Sequence, residues 1–452
     1  MSDFAGAAKI IYSPEQLADA YLRHYFKGQP ITYPINPFQM LLDEGVLFAI
    51  RDFGHLEGVY IPAENSDDIA TAGINLKRPI TRQRFTAAHE LCHHFRDADR
   101  QICAIGKRTA AEMYADKFAS GILMPLGELR AQVGKRSKQG YIEFDDVLEI
   151  ADFFGVSFEA CLFRIAYLIH AIPGDTESKE LKKRASKYRP DDRRKEHGYN
   201  YASLYEELIN SYVHALRLIP NDFVRYVFQN EYIYNDSRME GIDVTIDAAA
   251  EIVTDIRMNR QNSKYCSEEN EAYLSIAGHT VMYTDIFAVP TQESCSVFEC
   301  VSLNRKLFSF FPHPEFGGQT RQSNTLVLGA KFETIDYHEI ITELVKLDEE
   351  LKDVYARRTD LKVSDYIEFA IRLHHKLTII HPFADGNGRT LRAFLNVLLV
   401  RNGLTPVYIK VDDKDEYLAA LQIADLSANY APLYEFFFKA ILRTNVNLTR
   451  DE

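Results

Sequence analysis

At 452 residues the chain is too long for one ordinary hydrophobic core, so two or three domains are expected. Apolar residues make up 46% and charged residues 26%, a balance that excludes a disordered or fibrous chain. A formal charge of −13 sets the average surface against nucleic acid and anionic membrane, and no run of about 18 apolar residues is present to span a bilayer.

Met1-Ser2-Asp3-Phe4 lacks the basic-then-apolar order of a secretion signal, so a cytoplasmic location is expected. The 6 cysteines lie scattered without paired short spacing, as reduced thiols do, and suggest neither a disulfide framework nor a cysteine zinc cluster. Ser13-Pro14-Glu15-Gln16 opens a helix, with serine as cap, proline at the first helical position and Gln16 completing a capping box. Short β-rich runs follow at 46–53, 59–62 and 70–76, and helical periodicity returns over 81–95 and 110–124.

The helix over 81–95 contains His89-Glu90-Leu91-Cys92-His93. Histidines at i and i+4 share one face of a helix, and Glu90 beside them is placed to act on a metal-bound water. Arg84-Phe85-Thr86-Ala87-Ala88 precedes the motif, and Glu112-Met113-Tyr114-Ala115-Asp116-Lys117-Phe118-Ala119, then Leu123-Met124-Pro125, follow it. Together these resemble the ImmA/IrrE family of metallo-endopeptidases over about residues 10–172. The resemblance implies Zn2+ held by His89, His93 and Glu112, with Glu90 as general base and a regulatory protein as substrate. Asp116 is the runner-up ligand or a partner of one, and His94 points about 100° away from the pair and packs or faces solvent. A domain that binds a partner without hydrolysis is the alternative.

Residues 143–154 and 157–168 read as two helices joined at Gly155, with Ser157 capping the second. Glu143, Asp145, Asp146, Glu149, Asp152 and Glu159 stand against a single base, Arg164, the wrong sign for a DNA-reading pair. A packing unit is expected instead. Apolar periodicity then fails over 173–198, where nine Lys or Arg face three Asp or Glu between Lys179 and Lys195. Such a charge run reads as a solvated linker, partly helical and open to self-cleavage by the first domain, with a nucleic-acid contact as the alternative.

From Tyr199 onward long amphipathic helices dominate, interrupted by a β-hairpin pattern over 324–337. Ser364, as cap, opens a helix to Ile380, and a second helix runs from Thr390 to Leu404. Between them stands His381-Pro382-Phe383-Ala384-Asp385-Gly386-Asn387-Gly388-Arg389, with Arg392 beyond. This stretch combines a potential base, a metal-binding carboxylate, backbone amides at a helix N-terminus and two guanidinium groups. Those parts suit the transfer of a nucleotide phosphate to a hydroxyl. The residues resemble the Fic family signature at every specified position, and the likeness extends over about 199–452, including Gly318-Gln319-Thr320-Arg321.

The Fic resemblance implies an all-helical domain with a β-hairpin flap that transfers AMP from ATP to a Ser, Thr or Tyr hydroxyl of a protein substrate. His381 would accept the hydroxyl proton, and Asp385 would hold Mg2+. Gly386, Asn387 and Gly388 would cradle the diphosphate, with Asn387 orienting the α-phosphate and Arg389 and Arg392 neutralising the β- and γ-oxygens. A Fic enzyme that removes AMP or moves another group is the alternative. Fic proteins are often inhibited by a helix with a (Ser/Thr)-x-x-x-Glu-(Gly/Asn) motif, which Asp236-Ser237-Arg238-Met239-Glu240-Gly241 resembles. Glu240 would pair with Arg392 and inhibit, although Asp236 stands where a hydroxyl is usual. The expected architecture is thus multidomain: an α+β zincin-like metallopeptidase domain at 1–172, a charged linker at 173–198, and an all-α Fic domain at 199–452.

Overall fold

The computed structural model describes residues 4–65, 67–97, 101–104, 109–174, 177–259, 262–288, 294–326 and 333–450. The chain divides into two compact units, Met1–Tyr212 and Val213–Glu452.

The first unit contains helices α1 (Phe4–Ala8), α2 (Pro14–Phe26) and α3 (Pro37–Asp43), then strands β1 (Leu47–Arg51), β2 (Leu56–Ile61) and β3 (Thr71–Asn75). Helix α4 (Ile80–Arg96), strand β4 (Gln101–Ala104) and helices α5 (Ala110–Leu123), α6 (Leu126–Arg136), α7 (Phe144–Phe154) and α8 (Phe158–Leu168) follow. Helices α9 (Ser178–Tyr188), α10 (Pro190–Glu196) and α11 (Ala202–Ser211) complete it. The strands form one four-stranded sheet in the order β1-β3-β2-β4, in which β1 and β3 are parallel and the other pairs antiparallel. Helix α4 lies between this sheet and α5, and both its faces are buried.

Local signals place the element ends. Ser13 accepts a hydrogen bond from the Gln16 amide at 3.4 Å, Asn36 caps α3, and Glu143 and Asp146 form a reciprocal capping box on α7. Gly155, with φ 63°, turns the chain out of α7, and Ser157 caps α8. Arg84 of α4 is 0% exposed, and its guanidinium donates to the carbonyls of Ile35 and Gly155 and to the carboxylate of Glu207. A charge this deep is costly without such partners, so this one side chain ties α4 to three distant segments.

The basic run is helical and paired. Arg193 of α10 donates to both oxygens of Asp145 at 3.0 Å, Arg194 donates to Asp152 at 2.8 Å, and Tyr188 stacks on Phe158 at 5.0 Å. The acidic face of α7 thus finds its counter-charge within the same unit, and the division between units falls at Tyr212, beyond the 173–198 stretch. Helices α9 and α10 offer a protease no extended strand to bind, which argues against self-cleavage there.

The second unit contains α12 (Val213–Leu216), α13 (Asp222–Met239), α14 (Ile246–Asn259), α15 (Glu271–Ile286), α16 (Glu299–Leu307) and α17 (Ile340–Ala356). It ends with α18 (Val363–Ile380), α19 (Asn387–Arg401), α20 (Lys414–Ser427) and α21 (Ala431–Leu448). Helix α19 is its axis, enclosed by α15, α16 and α18 and buried along almost its whole length. Lys362 holds the cap position of α18, so Ser364 lies inside the first turn. Helix α19 starts earlier than Thr390, because Gly386 at φ 74° turns the chain straight into it. Residues 327–332 of the expected hairpin lie outside the described residues. Its flanks are joined by a bond from the Thr334 hydroxyl to the Thr325 carbonyl at 2.6 Å and from the Asn324 amide to Asp336 at 3.0 Å. Among the described residues no helix is long and apolar enough to cross a membrane.

Candidate functional sites

In the first unit, α4 presents His89 and His93 on one face and α5 brings Glu112 against them. The two Nε2 atoms are 3.0 Å apart, and Glu112 lies 3.1 Å from His89 Nε2 and 3.7 Å from His93 Nε2. The three ligand atoms fall within 4.8 Å of one another, a spread that one ion with bonds of about 2.0–2.2 Å can draw together. Each ring's far nitrogen meets a carboxylate: His89 Nδ1 is 3.0 Å from Asp116, and His93 Nδ1 is 2.6 Å from Asp97. A carboxylate there keeps the proton on Nδ1 and turns the Nε2 lone pair to the common point. Burial opposes charge on His89, yet Asp116, Glu112 and Glu90 outweigh it and push its pKa up to about 9, so the local field favours a cation. The donor set and the field both fit zinc.

Asp116 therefore braces the His89 ring from its far side and stands outside the group of His89, His93 and Glu112 that could hold a metal ion. Asp97 was missed in the sequence, although it stands at i+4 from His93 and could have been read from that spacing. His94 faces the other way and meets the Tyr60 hydroxyl at 2.9 Å. Glu90 is 0% exposed. The sheet passes so close that a Cβ on Gly58 would lie 2.5 Å from Glu90 Oε1, and only glycine leaves the carboxylate its place.

In the second unit the loop from His381 to Gly386 joins α18 to α19. His381 ends α18 in the left-handed region, at φ 50°, a conformation that a non-glycine residue holds only where its surroundings impose it. Arg321 supplies that constraint: its Nε donates to the His381 carbonyl at 2.9 Å, and its amide donates to the Pro382 carbonyl at 2.9 Å. Burial, with Arg321 nearby, holds the His381 pKa below the usual imidazole value, so the ring is neutral at pH 7 and able to accept a proton. Asn304 of α16 ties the loop from behind, donating to the Asp385 carbonyl and the Thr390 hydroxyl at 3.1 Å each, while Gly318 N–H donates to its oxygen at 2.8 Å. Neither Asn304 nor Ser275 (below) was legible as a site residue, because both approach across large sequence separations.

The two glycines serve different needs. A Cβ on Gly386 would strike Leu307 at 2.7 Å and Phe308 at 2.9 Å, so its absence lets α16 pack against the loop. At Gly388 the obstacle would be Glu240 Oε1, at 2.3 Å, and Arg392 Nη1, at 2.8 Å. Glu240 thus lies directly over the first turn of α19, where helix amides and dipole favour an anion. Asn387 differs from expectation. Its side chain accepts from Phe383 N–H at 3.0 Å and donates to the Phe383 carbonyl at 2.7 Å, so it braces the loop. Asp385 turns outward, its side chain 75% exposed.

Arg389 is buried and donates to the Ser275 hydroxyl. Arg392 is buried as well, and its guanidinium is held by two carboxylates of the α13 end: Nη2 by Glu240 and Nε by Asp236. Arg392, then Arg389 and Lys414, overcome burial and hold the Glu240 pKa below the usual carboxylate value. The Glu240–Arg392 contact matches the pairing that the inhibitory motif implies. The contact from Asp236 is additional.

Residues 296–399 match the Fic/DOC family and residues 59–166 match the IrrE N-terminal-like domain. The chain therefore carries a Fic/DOC domain and an IrrE N-terminal-like domain in tandem. It is 27% identical over 214 residues to Protein adenylyltransferase Fic of Nematostella vectensis, a stretch that is 47% of each chain. It is 44% identical over 80 residues to Protein adenylyltransferase fic-1 of Caenorhabditis elegans, covering 17% of this chain and 16% of that one. The chain thus spans about half the length, or less, of these relatives. Among solved structures, a Fic-domain signalling protein from Bacteroides thetaiotaomicron aligns at 20% identity and a TM-score of 0.45, over 55% of this chain and 98% of that one.

Proposed function

We propose that the chain is a protein adenylyltransferase restrained by Glu240 and joined to a zinc-dependent endopeptidase domain. The observation that carries the first part is the convergence of an imidazole, a glycine-lined helix N-terminus and two buried arginines where the loop enters α19. In this reaction the target hydroxyl oxygen attacks the α-phosphorus of ATP while His381 takes its proton. The bond from the α-phosphorus to the bridging oxygen breaks, and pyrophosphate leaves with its charge met by Arg389 and Arg392. Asp385, which faces outward, would hold the Mg2+ that accompanies the nucleotide. The adenylyltransferase names of the relatives support the same chemistry.

For the first unit, zinc bound by His89, His93 and Glu112 would supply a water that ionises near neutral pH. Asp116 and Asp97 hold the two rings for that role, and Glu90 is the general base. The substrate is a protein, and a regulatory one fits the family resemblance.

The test uses ATP labelled at the α- or the γ-phosphate, with Mg2+ and an extract as the source of acceptor, and counts only label above that of the extract alone. Glu240→Gly is expected to leave label on protein from the α-position only, and Glu240→Gly with His381→Ala to leave none. Protein labelled from the γ-position, or label that survives loss of His381, would overturn AMP transfer.

A further inference from the structure

Asp236 occupies the place where the inhibitory motif usually has a hydroxyl, and its position differs in kind from that of Glu240. Glu240 sits at the end of α13, its side chain 30% exposed, and it lies over Gly388. Asp236 is one turn earlier on α13, its side chain only 4% exposed, and holds Arg392 through Nε, the nitrogen nearest the chain. The other Asp236 oxygen faces Nε2 of His279 at 3.4 Å, and the His279 ring lies edge-on to Tyr232 at 5.1 Å. Burial, reinforced by Arg389 and Arg392, lowers the His279 pKa far below its usual value and keeps the ring neutral. On the far side, Tyr417 donates to His374 Nε2 at 2.8 Å, since His374 Nδ1 faces the Leu391 carbonyl at 3.2 Å and must carry the proton. Burial raises the Asp236 pKa to about 6 against the pull of Arg392, so the carboxylate is charged at neutral pH.

A brake must be able to leave, and Asp236 has no room to do so. We propose that Asp236 is a positioning residue for Arg392: it grips Nε from within the core, so that when Glu240 swings away both terminal nitrogens stay aimed at the first turn of α19 to take the far end of a nucleoside triphosphate. The opposite role, a second brake that neutralises Arg392, predicts the reverse effect of removing it. Positioning by Asp236 presupposes that the 381–392 loop holds a nucleotide, as proposed above, and the test separates the two.

Dissociation constants for Mg-ATP and Mg-ADP are measured by calorimetry on the full chain as Glu240→Gly, and as Glu240→Gly combined with Asp236→Asn or Asp236→Ala. Thermal unfolding is followed on the same samples. Glu240→Gly alone is expected to bind Mg-ATP; if it does not, the nucleotide site itself is wrong and the role of Asp236 falls with it. Adding Asp236→Ala is expected to weaken Mg-ATP about tenfold or more, the scale of one hydrogen bond to a charged group, while Mg-ADP changes little. Asp236→Asn, which keeps the shape and an acceptor for Nε, is expected to restore part of the loss. A loss confined to ATP is not what general destabilisation produces. Mg-ATP affinity equal to or above that of Glu240→Gly in both double variants, or equal weakening of ATP and ADP, would overturn the assignment.

Discussion

Replacing Glu240 by glycine should make the protein less stable and more active at once. Glu240 contributes a charge-assisted contact to buried Arg392, worth about 1.5–3 kcal/mol for such hydrogen bonds. Its side chain is 30% exposed, so the lower part of that range, about 1.5–2 kcal/mol, is appropriate. Arg392 keeps Asp236 as a partner, and no orphaned charge adds to the loss. In a unit of this size, that predicts a fall of roughly 3–8 °C in the melting temperature of the second unit. If the same contact closes the cradle to phosphate, a lock of about 1.5–2 kcal/mol lowers the competent fraction about 10- to 30-fold. Calorimetric unfolding and AMP transfer at sub-saturating ATP are measured on the same preparation, and kcat/KM for ATP should rise by that factor. Equal rates in the two proteins, or lower activity in the variant, would refute the lock.

Further outcomes follow from the same geometry. His381→Ala in the Glu240→Gly background should keep Mg-ATP affinity within about twofold while transfer falls by about 10²–10⁴, the range for a general base, as read from calorimetry and label incorporation. Because the Glu240 pKa is depressed, its lock is fully present above the ordinary carboxylate value of 4.5 and is lost only as pH falls through the lower folded value. The activity ratio of Glu240→Gly to wild type should therefore be the same at pH 7 and pH 8, above the titration of Asp236 as well, and a ratio that falls between them would contradict the assignment. Purified protein should hold zinc that His89→Ala loses, by metal analysis, and Asp97→Ala should weaken zinc by about 10- to 100-fold through the His93 ring it orients. Glu90→Gln should retain the metal and lack peptide hydrolysis.

Local spacing carried much of the site. His89 and His93 share a helical face by their separation alone, and the glycine-rich loop before α19 is visible as a motif. The contact of Glu240 with Arg392 was legible through a resemblance that did not require a perfect match. The misfit at Asp236 was visible too, but its partner was not: a buried carboxylate against Nε of Arg392 depends on how α13 packs beside α19. Arg321 and Asn304 likewise act on the loop by tertiary contact, and no local periodicity marks them. Asn387 shows the reverse case, a motif residue whose amide turns inward to brace the Phe383 backbone. The described residues of 173–198 are mostly exposed and partly helical, as the charge run suggests, whereas the partners of Arg193 and Arg194 on α7 lie earlier in the chain and could not be paired from spacing.

A crystal structure of the Glu240→Gly protein with Mg2+ and a non-transferable ATP analogue bears on the central claim most directly. The triphosphate should lie on the amides of residues 386–388, with its far end in the space over Gly388 that Glu240 occupies and the His381 ring beside the α-phosphate. A nucleotide bound elsewhere, or lying there with its α-phosphate out of reach of His381, would contradict the transferase.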